Sequence, residues 1–499
     1  MSGPRRWAAL AVLALAVLLV AVDATVLNLA IPRITTALEP SSTQLLWILD
    51  VYALVLAGLL VSAGSLADRL GRRRVLLAGC TLFGAASAVA AFATSPEVLV
   101  AARVLLAVGG ATIMPSTLAL VRTIFTDPRE RTLAIGVWSA MAAGGAAVGP
   151  ILGGVLLEHF WWGSVFLINV PVMVLLLVAG PLVLPEARAA ATGRWDAAGA
   201  VTSTAGLIAL VYALKKAAEQ GPAPDVLVTA AVAVAALAWF VRRQTRIPHP
   251  LIDLTLFRRR PFTGAVLGNL FAMLALSGLL LFVSQYLQLV LGHPPLAAGL
   301  RLLPLTAGAF VGAPLTAVLV ARTGPRATIA TGLAAGALGM LAFTAALDRA
   351  YPVVAAALLV VGVGVGVAVT ATSELILTSA PTDRAGAASS ISETAYELGT
   401  GLGIALLGTL LAVLYRGGLP PQAAAGPARE SLASAARAAA DLPAAGGAAV
   451  LDAARTAFLD ALQGTGLVSA ALLAAAAGVV LALRDRAPVG AAPVDGGRR

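Results

Sequence analysis

The chain has 499 residues, 59% of them hydrophobic and 12% charged, with a mean hydropathy of +0.93. This composition excludes a soluble globular protein of such length and demands several apolar spans of about 20 residues each. The net charge of +10 does not indicate nucleic acid, because the basic residues lie in short segments between apolar runs.

Fourteen spans are expected, at 7–32, 44–63, 75–93, 97–120, 133–157, 163–184, 197–214, 225–241, 262–290, 297–321, 327–346, 352–378, 385–415 and 464–483. An even number puts both termini on one side. In that arrangement one set of connecting segments carries 24 of the 34 basic residues, including Arg188, Arg194, Arg384, Arg484, Arg486, Arg498 and Arg499. The other set carries 8, among them Lys215 and Lys216. The asymmetry predicts that both termini face the cytoplasm. The first apolar run continues past Asp23 without a cleavage site, so it reads as an uncleaved span.

Asp23 lies about 15 Å from the end of the first span, near the bilayer midplane. A carboxyl at that depth is a functional candidate unless it is permanently paired with a buried arginine. Asp50, in the second span, is about 9 Å from the outer end, where it reads as a proton entry point or a cation-attracting group at a cavity mouth. Between spans two and three comes Gly64-Ser65-Leu66-Ala67-Asp68-Arg69-Leu70-Gly71-Arg72-Arg73-Arg74. It is expected to be a short charged loop turning at Gly71. The fourth span contains Arg103, too expensive to bury unpaired.

In the fifth span, Gly145, Gly149 and Gly153 fall on one helical face, with Pro150 and Gly154 beside them. Small residues at this spacing permit close helix contact, and Pro150 bends the helix. A weak repeat aligns Ala67–Arg73 with Val320–Arg326 at an offset of 253, keeping Arg, Gly and Arg. It suggests two six-helix halves, 1–187 and 262–499, joined by two inserted linker helices in 188–261. Glu393 and Glu397 lie one turn apart on the thirteenth span, and two like charges that close cannot both ionise cheaply in a low dielectric. Segment 416–463 is alanine-rich with scattered charges and predicts a small helical hairpin outside the membrane.

The Gly64–Arg74 string resembles the signature between helices two and three of the major facilitator superfamily. Asp23-Ala24-Thr25-Val26-Leu27-Asn28-Leu29-Ala30-Ile31-Pro32 resembles a first-helix signature of its 14-helix drug:proton antiporters. Gly145-x-x-x-Gly149-Pro150-x-x-Gly153-Gly154 matches a motif of the proton-coupled exporters, and Glu393 with Glu397 resembles an acidic pair in quaternary-ammonium and dye pumps. Around Arg103 the match is partial, because Leu106 and Ala107 replace the usual Gln and Gly.

The resemblance implies an all-α polytopic membrane protein with the major facilitator fold, two six-helix bundles plus two linker helices. It implies alternating access around Asp23, Glu393 and Glu397, with Arg103 modulating protonation and Asp50 contributing. The stretch containing Gly64, Asp68, Arg69, Gly71 and Arg72 would gate the cytoplasmic side. The expected activity is proton-coupled multidrug efflux of lipophilic cations such as quaternary ammonium compounds and dyes, by a monomer in the bacterial inner membrane. The proton motive force would drive it, with no cofactor, metal or nucleic-acid partner. An exporter of one endogenous metabolite or antibiotic is the alternative. An enzyme is disfavoured: no phosphate-binding loop or zinc spacing occurs, and Cys80 is the sole cysteine.

Overall fold

The computed structural model describes residues 3–187, 195–220, 223–248, 250–379, 385–420, 426–440 and 442–483. They are helical, with no β-strand among them. The first half contains α1 (Gly3–Leu38), α2 (Ser42–Leu70), α3 (Arg72–Ala91), α4 (Pro96–Ile124) and α5 (Pro128–His159). Its sixth span is α6 (Ser164–Leu167) and α7 (Asn169–Val183), interrupted at Ile168. The inserted pair is α8 (Ala197–Gln220) and α9 (Pro224–Gln244). The second half contains α10 (Arg260–Gln285), α11 (Pro295–Arg301), α12 (Leu303–Thr323), α13 (Pro325–Ala345), α14 (Tyr351–Ser379), α15 (Ala385–Gly418), α16 (Leu432–Ala440) and α17 (Ala444–Ala482).

Thirteen helices among the described residues are long and apolar enough to cross a membrane. The fourteenth expected span is α5, 32 residues long, whose apolar parts are Leu133–Ala142 and Val148–His159.

Local chemistry sets the helix starts. Ser41 caps α2 in a reciprocal pair with Gln44, and Ser95 caps α4 ahead of Pro96. Helix α9 leaves large aliphatic side chains exposed, including Val228, Val232 and Val234, as a lipid-facing helix does. Small residues bring other helices together. On α12 and α14, Gly308 and Gly312 face the Leu359 and Val363 carbonyls, while Gly362 and Gly366 face Leu305 and Ala309. Added Cβ atoms would collide there, so these helices pack backbone to backbone.

The Gly64–Arg74 stretch is not a loop. Helix α2 runs through Leu70 and α3 starts at Arg72, leaving Gly71 as the single intervening residue. Its φ of 110° is the left-handed region, which Gly enters without a Cβ penalty. Gly324 turns α12 into α13 in the same way with φ 80°, at the same offset of 253 as the sequence repeat.

Two further expectations are revised. In segment 416–463 the first arm is α16, but the second is continuous with the last span, because α17 runs 39 residues without a break. The seventh span extends beyond 214 to Gln220, so Lys215 is carried on the helix and buried rather than placed in an external segment. Arg188, Arg194, Arg384, Arg484, Arg486, Arg498 and Arg499, and the proposed boundary at 188, lie outside the described residues.

The two halves meet through α2 with α15, α5 with α11, and α1 with α10. Ser284 donates to the Asn28 carbonyl at 2.8 Å, and Gln288 to that of Leu29 at 3.3 Å. Arg437 of α16 pairs with Glu39 at 2.7 Å. These contacts lie on the side of the molecule that carries α16, opposite the Gly64–Arg74 turn.

Candidate transport site

Asp23 is fully buried at the middle of α1. One carboxylate oxygen accepts from Arg103 Nη1 at 2.9 Å and the other from Asn169 Nδ2 at 2.8 Å. Arg103 Nε donates to the Ile48 carbonyl at 3.2 Å, and its guanidinium lies 4.4 Å from the Tyr52 ring centroid. Asn169 also donates to Ser87 Oγ at 3.1 Å. One cluster therefore joins α1, α2, α3, α4 and α7. A buried ion pair is tolerable only with supporting hydrogen bonds, and here Asn169 supplies one to Asp23 and the Ile48 carbonyl accepts one from Arg103. The break at Ile168 sets Asn169 at the start of α7, beside Asp23.

Asp23 and Arg103 each stand out in the sequence as charges within apolar spans. Asn169, Ser87 and Tyr52 do not stand out, because amides, hydroxyls and aromatics are common within apolar spans. The coincidence of Asp23, Arg103 and Asn169 at three mid-span positions was the available signal.

Asp50 does not join this cluster, nor does it sit at a cavity mouth. It is sealed between α2 and α8, where its carboxylate lies 2.7 Å from Lys215 Nζ. Both side chains are buried. The Lys215 ammonium also lies 4.1 Å from the centroid of Trp47, which stacks on Tyr212. Lys215 was missed because the sequence does not say which helix α8 packs against.

Glu393 and Glu397 share a face of α15; Glu397 is buried and Glu393 half-buried. Among the described residues no basic side chain pairs with either. Tyr52, beneath the Arg103 guanidinium, belongs to the Asp23 cluster, and two residues further along α2 Leu54 packs against Gly401 of α15, one turn beyond Glu397. Of the aromatics in the central helices, Tyr286 is buried with its hydroxyl on the Leu347 carbonyl, and Phe282 is also buried.

At the charged turn, Arg72 pairs with Asp68 at 2.8 Å and bonds the Ala119 carbonyl and Thr123 Oγ1 of α4. Arg73 reaches the Leu184 carbonyl, and Arg73 and Arg74 flank Glu186 at 3.7 and 3.6 Å. Gly64 packs on Pro115, and Arg69 lies in the last turn of α2. These contacts of Asp68, Arg72, Arg73 and Arg74 stay within the first half.

On α5, Gly145, Gly149 and Gly153 face α1, where Cβ atoms would strike the Leu18 carbonyl, Thr25 and Val26. Gly154 packs instead on Leu296 of α11, and the Pro150 carbonyl on Gly299. The glycine motif thus touches both halves.

Two bundles of apolar helices, closed together on one side and carrying buried acids at their centre, define a membrane carrier. Sequence comparison places it more closely. The chain belongs to the Major Facilitator Superfamily, whose sequence model matches residues 13–404. It is 47% identical over 485 residues to "Multidrug efflux pump LfrA" of Mycolicibacterium smegmatis, covering 95% of this chain and 96% of that one. It is 38% identical to "Methyl viologen resistance protein SmvA" of Salmonella typhimurium, covering 91% and 93%. It is 37% identical to "Tetracenomycin C resistance and export protein" of Streptomyces glaucescens, covering 82% and 76%. Among solved structures, a bacterial homologue of the lysosomal transporter Spinster, inward-facing and unoccupied, overlays with TM-score 0.69 at 20% identity, covering 98% and 100%. The expected family and helical architecture are borne out, and the protein is a membrane transporter.

Proposed function

We propose that the protein is a proton-coupled efflux antiporter for lipophilic cations. The observation that carries this is the Glu393–Glu397 pair: two acids on α15, one buried and one half-buried, with no basic partner among the described residues, while Asp23 and Asp50 each have one. Unpaired acids in a low dielectric favour a neutralising partner, either a proton or an organic cation. Competition between the two makes exchange obligatory.

The relatives support the same reading. LfrA is named a multidrug efflux pump, and SmvA is named for resistance to methyl viologen, a permanently charged aromatic dication.

In this reading the chain works as a monomer in the bacterial cytoplasmic membrane with both termini inside, driven by the proton motive force without a cofactor. The Gly64–Arg74 face is then cytoplasmic, and contacts on the opposite face make this the inward-open arrangement. A cation enters from the cytoplasm or inner leaflet and meets Glu393 and Glu397. The halves, 1–187 and 262–499, then rock, with residues 188–261 between them. In the outward-open state Asp68, Arg69 and Arg72 would latch the cytoplasmic ends, with Gly64 and Gly71 shaping the turn. Protons from outside displace the cation. Asp23, held by Arg103, reports protonation to the helices that it joins. Gly145, Gly149, Pro150, Gly153 and Gly154 provide the smooth contact along which α5 moves.

Ethidium uptake and internal pH, followed together in inverted membrane vesicles, test this. Adding dye should drain an imposed proton gradient in the wild type, and not in Asp23→Asn or in Glu393→Gln/Glu397→Gln. A folded, inserted wild type that moves no protons with any cationic dye sinks the proposal. A second reading, export of a single antibiotic or metabolite, is favoured by the tetracenomycin C exporter among the relatives. Proton drain by one neutral or anionic compound alone would select it.

A further inference from the structure

Helix α8 is attached to α2 along its whole length. Near its start, Trp195 Nε1 donates to the Ser62 carbonyl at 3.2 Å. At mid-height Thr204 packs on Gly58, where a Cβ would collide. Near its end Lys215 meets Asp50. Helix α8 also reaches the other half, because Val211 shares an apolar contact with Leu54 of α2 and Ala405 of α15, flanked by Leu398 and Leu402. It therefore lies along the seam where α2 and α15 meet.

We propose that Lys215 is a positioning residue of the transport cycle: the resident cation of Asp50, delivered by inserted helix α8, whose pairing ties α8 to α2 beside the α2–α15 seam. This rests on the proton-coupled reading above. A permanent staple needs no charge, because a buried ion pair is no more stable than a well-packed apolar contact. Charge at this position is useful if the pair is made and broken. The residue type agrees. The chain has 34 basic residues and only two are lysines, Lys215 and Lys216. An ammonium is a point charge that releases its partner more readily than a forked guanidinium.

The surrounding charges tie this pair to the rest of the site. Lys216 is drawn away to Asp225 on α9. Two residues along α2 from Asp50 stands Tyr52, covered by Arg103 of α4, which also bonds the Ile48 carbonyl. Through Arg103, Tyr52 joins the Asp23 cluster of α1, and Leu54 beside it packs on Gly401 of α15. In the outward-open state a proton from external water adds to the Asp50 carboxylate, forming the O–H bond. Lys215 keeps its own protons and loses its anion, and the tie between α8 and α2 beside the seam loosens. Return of that proton to water on the cytoplasmic side restores the pair.

The test uses full-length protein reconstituted in vesicles with an imposed pH gradient and ethidium as probe. Wild type is compared with Lys215→Gln, Lys215→Arg and the neutral double variant Asp50→Asn/Lys215→Gln. Inserted protein is quantified for each. In the double variant downhill dye equilibration should remain measurable, while gradient-driven accumulation falls at least about tenfold and loses its pH dependence. Lys215→Arg should retain part of the accumulation. If the double variant accumulates dye like wild type with the same pH profile, the pair is a staple and the inference fails alone. If wild type itself drains no protons, the antiporter reading fails and takes this inference with it. If Lys215→Gln does not insert, the double variant decides.

Discussion

Arg103 and Asp23, 80 positions apart, form a 2.9 Å ion pair that is almost completely withdrawn from solvent. Each also has a neutral partner, Asn169 for Asp23 and the Ile48 carbonyl for Arg103, but only the opposite charge offsets the burial of each. Arg103→Gln should therefore destabilise the protein by about 3–5 kcal/mol, the effect of breaking a buried pair on one side. Asp23→Asn/Arg103→Gln should recover much of that loss. Thermal unfolding in detergent checks both. An Arg103→Gln protein as stable as wild type would mean that the pair carries no structural weight.

Asn169 fixes the second oxygen of the Asp23 carboxylate and also holds Ser87. Asn169→Ala leaves a buried acceptor unsatisfied and should lower stability by about 1–3 kcal/mol. Ser87→Ala removes only the outer link, so it should have the smaller effect in the same melting experiment.

Gly149 of α5 lies against Thr25 of α1 with no room for a side chain. Gly149→Val should force the helices apart, destabilising by about 1–3 kcal/mol and slowing dye transport. Gly136 has open space at the Cβ position, so Gly136→Ala on the same helix is the control: transport should be unchanged and stability the same or up to about 1 kcal/mol higher.

Asp196, just before α8, supplies the pH prediction. Burial works against its ionisation, but the Gly199 N–H, Arg243 and Gln244 together hold its carboxyl below the ordinary 3.8. A carboxylate favoured in the folded state contributes stability above its unfolded value and loses it as pH falls through the folded value. Melting temperature should therefore fall as pH drops below about 4. Asp196→Asn should be less stable than wild type at neutral pH, and the gap should close in acid. A gap that stays constant would contradict this.

Composition and periodicity made the membrane helices legible, because a bilayer admits few ways to hide a backbone. Asp23 and Arg103 were legible as isolated anomalies, since a charge in an apolar span demands a reason. That Asp23 could pair with a buried arginine was one reading open from the sequence, but that Arg103 supplies it was not, because this depends on how α1 and α4 are arranged. Asp50 shows the same limit more sharply. Its depth along α2 suggested an exposed mouth, yet a lysine from a helix 165 positions away covers it. Helix ends were least legible: the alanine-rich start of α17 looked like a separate arm, because alanine favours helix without saying where one stops.

The single-residue turns at Gly71 and Gly324 have a mechanical meaning. A long loop between two helices is slack rope and lets each slide independently. One residue is a rivet: it fixes the distance between the joined ends and permits only rotation about them. Helices α2 and α3, and likewise α12 and α13, are thus yoked at that face, so displacement of α2 at the α15 seam is passed to α3 without lost motion.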